Sequence, residues 1–122
     1  NVFCTFAPAQ HAFAEMLVEE PEHYEELGAF YQAKRDRFRT QLLTTKLKPL
    51  AVPGGYFQLV DYSAVSDLDD AAFCRWLTTE IGVAAIPLAA FYDAGFEQRI
   101  VRLCFAKRDE TLRLALDRLA RV

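Results

Sequence analysis

Ile100-Val101-Arg102-Leu103-Cys104-Phe105, followed within four residues by Asp109-Glu110-Thr111-Leu112-Arg113-Leu114-Ala115-Leu116-Asp117-Arg118-Leu119, decides the fold. In the first segment Val101, Leu103 and Phe105 fall on one side and Ile100, Arg102 and Cys104 on the other, the period of two that marks a strand. In the second, Leu112, Ala115, Leu116 and Leu119 recur at i, i+3, i+4 and i+7, which is one face of a helix opening at Asp109. A strand with an apolar face beside an amphipathic helix predicts an α+β layering.

Working outward, Tyr56-Phe57-Gln58-Leu59-Val60-Asp61 follows Pro49 and the turn Pro53-Gly54-Gly55, and is rich in strand formers. Phe73, Trp76 and Leu77 share a helical face after the cap candidates Asp67 and Asp69, and Gly82 supplies a stop. Val83-Ala84-Ala85-Ile86 is expected to be a short buried strand ended by Pro87. Upstream, Ala9, Ala12, Phe13, Met16 and Leu17 predict a helix from about Pro8 to Glu20. A second helix is predicted from Pro21 to about Thr44, with Tyr24, Leu27, Tyr31, Phe38 and Leu42 on one side. Its glutamates lie near the start and Lys34, Arg35, Arg37 and Arg39 toward the end, complementing the helix dipole; these charges read as a solvated face. The expected order is helix, helix, strand, helix, strand, strand, helix: a two-layer sandwich of helices over a small sheet.

The chain has 122 residues, 52% of them apolar or aromatic, with 14 basic against 17 acidic side chains and a net charge of −3. That suits one compact unit with a sizeable core and argues against disorder. Basic residues spread along a mildly acidic chain do not make a nucleic-acid footprint, and no apolar run suits a membrane span. Cys4, Cys74 and Cys104 are odd in number and sit in apolar patterns, which reads as reduced thiols in a cytoplasmic protein. The one methionine, Met16, lies inside a helical pattern, so the chain is expected to begin within a longer protein or to have been processed.

Metal ligation is not expected, because His11 and His23 lie far apart and no CxxC or HExxH spacing occurs. Ser63 and Ser66 lack a nucleophile-elbow context, and Gly54-Gly55 reads as a turn rather than a phosphate loop. Two features ask for more. Ile86-Pro87-Leu88-Ala89-Ala90-Phe91-Tyr92 is uncharged, so it either folds back on its own core or forms a surface covered by another domain, subunit or ligand. Arg102 stands among Ile100, Val101, Leu103 and Cys104, where a guanidinium needs an anion. An internal Asp or Glu and a ligand carboxylate held by its planar fork both answer that need.

Pro8-Ala9-Gln10-His11-Ala12, Pro53-Gly54-Gly55-Tyr56-Phe57, Gly82-Val83-Ala84-Ala85-Ile86-Pro87 with Ala90-Phe91-Tyr92, and Val101-Arg102-Leu103-Cys104-Phe105-Ala106-Lys107 stand in one order across nearly the whole chain. In these stretches the sequence resembles the C-terminal portion of class I/II aminotransferases of pyridoxal-phosphate fold type I, in the methionine and kynurenine aminotransferase branch. The resemblance implies a mostly antiparallel small domain over residues 45–122, preceded over residues 1–44 by a connecting segment and helices from the large domain. It implies that Arg102 binds the substrate α-carboxylate. It also implies that Phe3 and Cys4 approach the substrate pocket of the neighbouring subunit of a homodimer; Cys4 stands where other members often carry His, which makes that wall less polar.

The family's cofactor-bearing lysine and its phosphate and ring-nitrogen anchors belong to the large domain, before Asn1. None of Lys34, Lys46, Lys48 or Lys107 stands in the family's Ser-x-x-Lys context. The expectation is therefore a substrate-recognition segment, with no catalytic or cofactor-binding residue of its own, of an enzyme that passes an amino group from an amino acid to a keto acid. A β-eliminating carbon–sulfur lyase of the same fold type and a stand-alone α+β ligand-binding module are the alternatives.

Overall fold

The computed structural model describes residues 5–93 and 98–122. Helix α1 (Ala7–Glu19) is followed by α2 (Pro21–Glu25) and α3 (Leu27–Leu42). Strands β1 (Lys48–Pro49) and β2 (Phe57–Asp61) precede α4 (Asp70–Trp76), which continues as a wider π turn over Leu77–Ile81. Strand β3 (Ile86–Pro87), a single 3-10 turn (Ala89–Phe91), β4 (Ile100–Cys104) and α5 (Asp109–Leu119) complete the order. The four strands form one sheet, β1-β2-β4-β3, with every pairing antiparallel. The α+β architecture of helices over a small sheet is as expected.

The layers follow from the alternation. Val60 on β2 and Val101 and Leu103 on β4 point into a core shared with Phe38 and Leu42 of α3, Phe73 of α4, and Leu112, Leu116 and Leu119 of α5. Phe105, just past β4, is fully buried, and the rings of Tyr62 and Phe73 stack 3.8 Å apart. Each such side chain contributes about 1.5 to 3 kcal/mol by leaving water. Asp69 caps α4 by accepting the Ala72 N–H at 2.7 Å, and Gly82 ends the π turn in the left-handed conformation at φ 73°.

Several local expectations are corrected. The helix expected over Pro21–Thr44 is two, α2 and α3, because the chain bends at Glu26. Gly28, just beyond the bend, is the poorest helix former in the stretch after proline. The strand expected at Val83–Ile86 is instead Ile86–Pro87: it starts later, its Ile86 is exposed rather than buried, and Pro87 is its last residue. β1 was not expected at all, since Pro49 reads as a break. Both prolines sit in the outer strands of the sheet, where a missing N–H costs no ladder bond on the open side. Asp67 does not cap α4; it pairs with Arg99 at 2.8 Å.

The basic end of α3 is a solvated face only at Arg37, which is exposed. Lys34 is buried and bonds the Asp109 carboxylate at 2.7 Å, while Arg35 and Arg39 donate to the Val52 and Leu50 carbonyls. These contacts lash α3 to the start of α5 and to the segment after β1. By contrast, α1 has no buried residue, and its predicted apolar face, with Phe13 62% exposed, touches no core residue.

Candidate functional site

The helices cover one side of the sheet, and the other side carries the candidate site. Residues directly opposite in an antiparallel pair point to the same side. Arg102 pairs with Leu59 on β2 and Ile86 on β3, and its neighbour Cys104 pairs with Phe57. Phe57, Leu59, Ile86, Ile100, Arg102 and Cys104 therefore share the face opposite the core. All of them are half-buried except Ile86, which lies at the edge of exposure.

The Arg102 guanidinium lies between two aromatic rings. Its central carbon is 3.9 Å from the centroid of Phe57 and 4.5 Å from that of Phe91. Both rings hold the cation by their negative faces and restrict the planar group to a slot. Nε is buried and has no hydrogen-bond partner among the described residues. Lys34, Arg35, Arg37, Arg99 and Arg113 all meet carboxylates, but no described carboxylate meets Arg102. Of the two anions that the sequence left open, the described residues supply no internal one. The arrangement can hold a carboxylate or similar planar anion from outside the chain.

The apolar segment divides between its two readings. Leu88 folds back and is buried, whereas Phe91 and Tyr92 are more than half exposed. Sequence reasoning missed Phe57 and Phe91 as parts of the site. Within a strand Phe57 can take either of two faces, and only the β2–β4 register says that it takes the Arg102 face. An aromatic chain runs on from the slot: Phe57 lies 4.6 Å from Tyr56, which lies 6.2 Å from Tyr31. Tyr56 and Tyr31 help line a cavity of about 680 Å³ between the start of α3 and the Gly54-Gly55 turn.

Phe3 and Cys4 lie outside the described residues. Cys104 is a half-buried free thiol beside Arg102, and Cys74 is a buried one. Burial first, and the Asp70 charge second, push the Cys74 thiol up to about 11, which disfavours the thiolate. Among the described residues no group of three His, Cys, Asp or Glu side chains gathers as a metal site, and no helix is long and apolar enough to cross a membrane.

The family model for aminotransferase class I and II matches residues 1–119. The methionine aminotransferase of Escherichia coli is 53% identical over 117 residues, covering 96% of this chain and 30% of that protein. Rat kynurenine–oxoglutarate transaminase 3 is 33% identical over 131 residues, 92% of this chain and 29% of the relative. Among solved structures, an Escherichia coli protein with a methionine aminotransferase function matches with a TM-score of 0.89 at 53% identity, over 94% of this chain and 30% of that one. N-succinyldiaminopimelate aminotransferase from Mycobacterium tuberculosis matches with a TM-score of 0.85 at 36% identity, over 93% and 30%. The chain thus spans about 30% of the length of the relatives it matches.

Proposed function

Because this chain belongs to the class I and II aminotransferase family, we propose that the full-length protein moves an amino group from an α-amino acid to a keto acid with pyridoxal phosphate, and that Arg102 holds the substrate α-carboxylate. The observation that carries the assignment to Arg102 is its guanidinium, stacked between Phe57 and Phe91 with a buried, unpartnered Nε and no described carboxylate beside it. The donor set fits a substrate carboxylate: one planar cation in an apolar slot, suited to two parallel N–H···O bonds.

Pyridoxal phosphate, when bound, supplies the electron sink that makes the substrate α-carbon acidic. This chain's part is orientation. Two bonds from one rigid fork fix the plane of the carboxylate, and with it the direction of the bonds on the α-carbon. The flanking rings thin out the water around the ion pair, which strengthens it. Lys34 is tied to Asp109, and none of the chain's lysines stands in the motif of the cofactor-bearing one, so the groups that move protons and anchor the cofactor are assigned to the large domain.

The rest of the reading follows the family. Residues 45–122 form the small domain, with the Phe38 and Leu42 end of α3 docked into its core, and the earlier helices connect it to the large domain. The exposed faces of α1 and of Phe91 and Tyr92 suit cover by that domain or by the second subunit of a homodimer, whose pocket Phe3 and Cys4 approach. The free thiols of Cys74 and Cys104 suit the cytoplasm. The test is to supply the purified full-length protein with methionine and a 2-keto acid and to follow by chromatography the keto acid formed from methionine and the amino acid formed from the 2-keto acid. Stoichiometric exchange supports amino transfer. Release of a thiol, ammonia and pyruvate from an S-alkylcysteine, whose sulfur sits on the β-carbon, without need of a keto acid and in place of exchange marks β-elimination and overturns the reading.

A further inference from the structure

Asp70 is a buried carboxylate, 7% exposed, that neither the core nor the slot described above accounts for. It stands at the first position of α4, but that helix is already capped by its neighbour Asp69. Asp70 reaches elsewhere. Its Oδ2 accepts the backbone N–H of Ala89 at 2.6 Å, across nineteen residues of sequence. Ala89 begins the single 3-10 turn that ends at Phe91, and the Phe91 N–H is in turn held by the Leu88 carbonyl at 3.0 Å. The Phe91 ring is one of the two that flank the Arg102 guanidinium. Phe57, the other, is carried by a ladder strand and is fixed by the sheet; Phe91 is carried by an exposed turn and needs a tether.

A buried carboxylate is costly unless a short charge-assisted bond meets it, and this one meets a backbone N–H at the base of that turn. We propose that Asp70 is a positioning residue for substrate binding: by pinning the N–H of Ala89 it holds Phe91 over Arg102, so that the guanidinium is presented as one fixed plane between two rings. This rests on the assignment of Arg102 to the substrate carboxylate, and it extends that site by a residue on a different element, behind the sheet edge.

The experiment uses the full-length protein and two readouts: KM and kcat for the amino acid, and the inhibition constant of 3-phenylpropionate, a carboxylate with no amino group. Asp70→Ala is expected to raise KM and the inhibition constant together by about tenfold, the scale of a coupling through one contact, with kcat and cofactor content nearly unchanged. Asp70→Asn keeps an acceptor oxygen and should restore most of the affinity. In an Arg102→Ala background Asp70→Ala should have no further effect on either constant, because the path ends at Arg102. If Arg102→Ala weakens binding but Asp70→Ala leaves it unchanged or adds its full effect in the double variant, the tether is wrong and the carboxylate reading stands. If Arg102→Ala itself leaves binding unchanged, both fall. Should Asp70→Ala not fold, Phe91→Leu interrupts the same path at an exposed residue; constants within twofold of the unaltered protein would then overturn the proposal.

Discussion

Replacing Arg102 by alanine separates a substrate-binding arginine from a structural one, because its environment sets the two costs far apart. The structural cost is small. Arg102 forms no described ion pair, and truncation removes two cation–π contacts and some stem packing on a half-buried face, about 1 to 2 kcal/mol in all. The binding cost is larger. Losing one partner of a desolvated, bidentate charge pair costs about 2 to 5 kcal/mol, and at about 1.4 kcal/mol per decade that is roughly thirtyfold to four-thousandfold in kcat/KM for the amino acid. Arg102→Lys keeps the charge but loses the fork and fills the slot between the rings poorly, so it should recover only part of the loss. The assay is steady-state kinetics of the full-length protein with amino acid and keto acid varied separately, beside a urea denaturation curve and the cofactor's absorbance spectrum. Kinetics within a few fold of the unaltered protein, together with a large loss of stability, would refute the assignment.

Gly82→Ala should destabilise the protein by about 1 to 2 kcal/mol, because Gly82 sits at φ 73° and an added Cβ would lie 2.7 Å from Arg118 Nη1, whose bond to the Gly82 carbonyl must then shift. Gly55→Ala, at φ 77° with open space around it, should cost only the backbone part; urea midpoints of the two variants check the difference. Burial, and then the charges of Asp70 and Asp69, push the Tyr62 phenol up from 10.0 to about 12, and burial and Asp70 push the Cys74 thiol up from 9.0 to about 11. Raised values favour the neutral forms in the folded state, so this stability is complete below pH 9 and is lost as the pH rises toward 11 and 12. Denaturation curves between pH 8 and 11 should show the decline, and Cys74→Ala should flatten it.

Periodicity along the chain was enough to place most elements, because it is a local property. Alternation over Ile100–Phe105 separates a core face from an Arg102 face whatever the sheet around it, and burial follows it residue by residue. The 3.6-residue spacing of Leu112, Leu116 and Leu119 likewise marks the buried side of α5, and Asp69 and Gly82 carry their capping roles in their own chemistry. Arg102 stood out for the same reason: a cation in an apolar strand raises the question of its anion without any tertiary knowledge.

What neighbours that cation was decided only by pairing between distant segments. Register sets Leu59 and Ile86 beside Arg102 and brings Phe57 under its guanidinium, and no local pattern encodes a register. The two-residue strands at Lys48–Pro49 and Ile86–Pro87 exist because the sheet has edges that tolerate proline. Lys34 reads as a surface residue from its helical surroundings, and it is buried because Asp109, from the far end of the chain, comes within 2.7 Å of it. Local geometry determines which face a side chain takes, whereas the partner that makes the face worth burying comes from long-range packing, where desolvation and complementary charge are settled together.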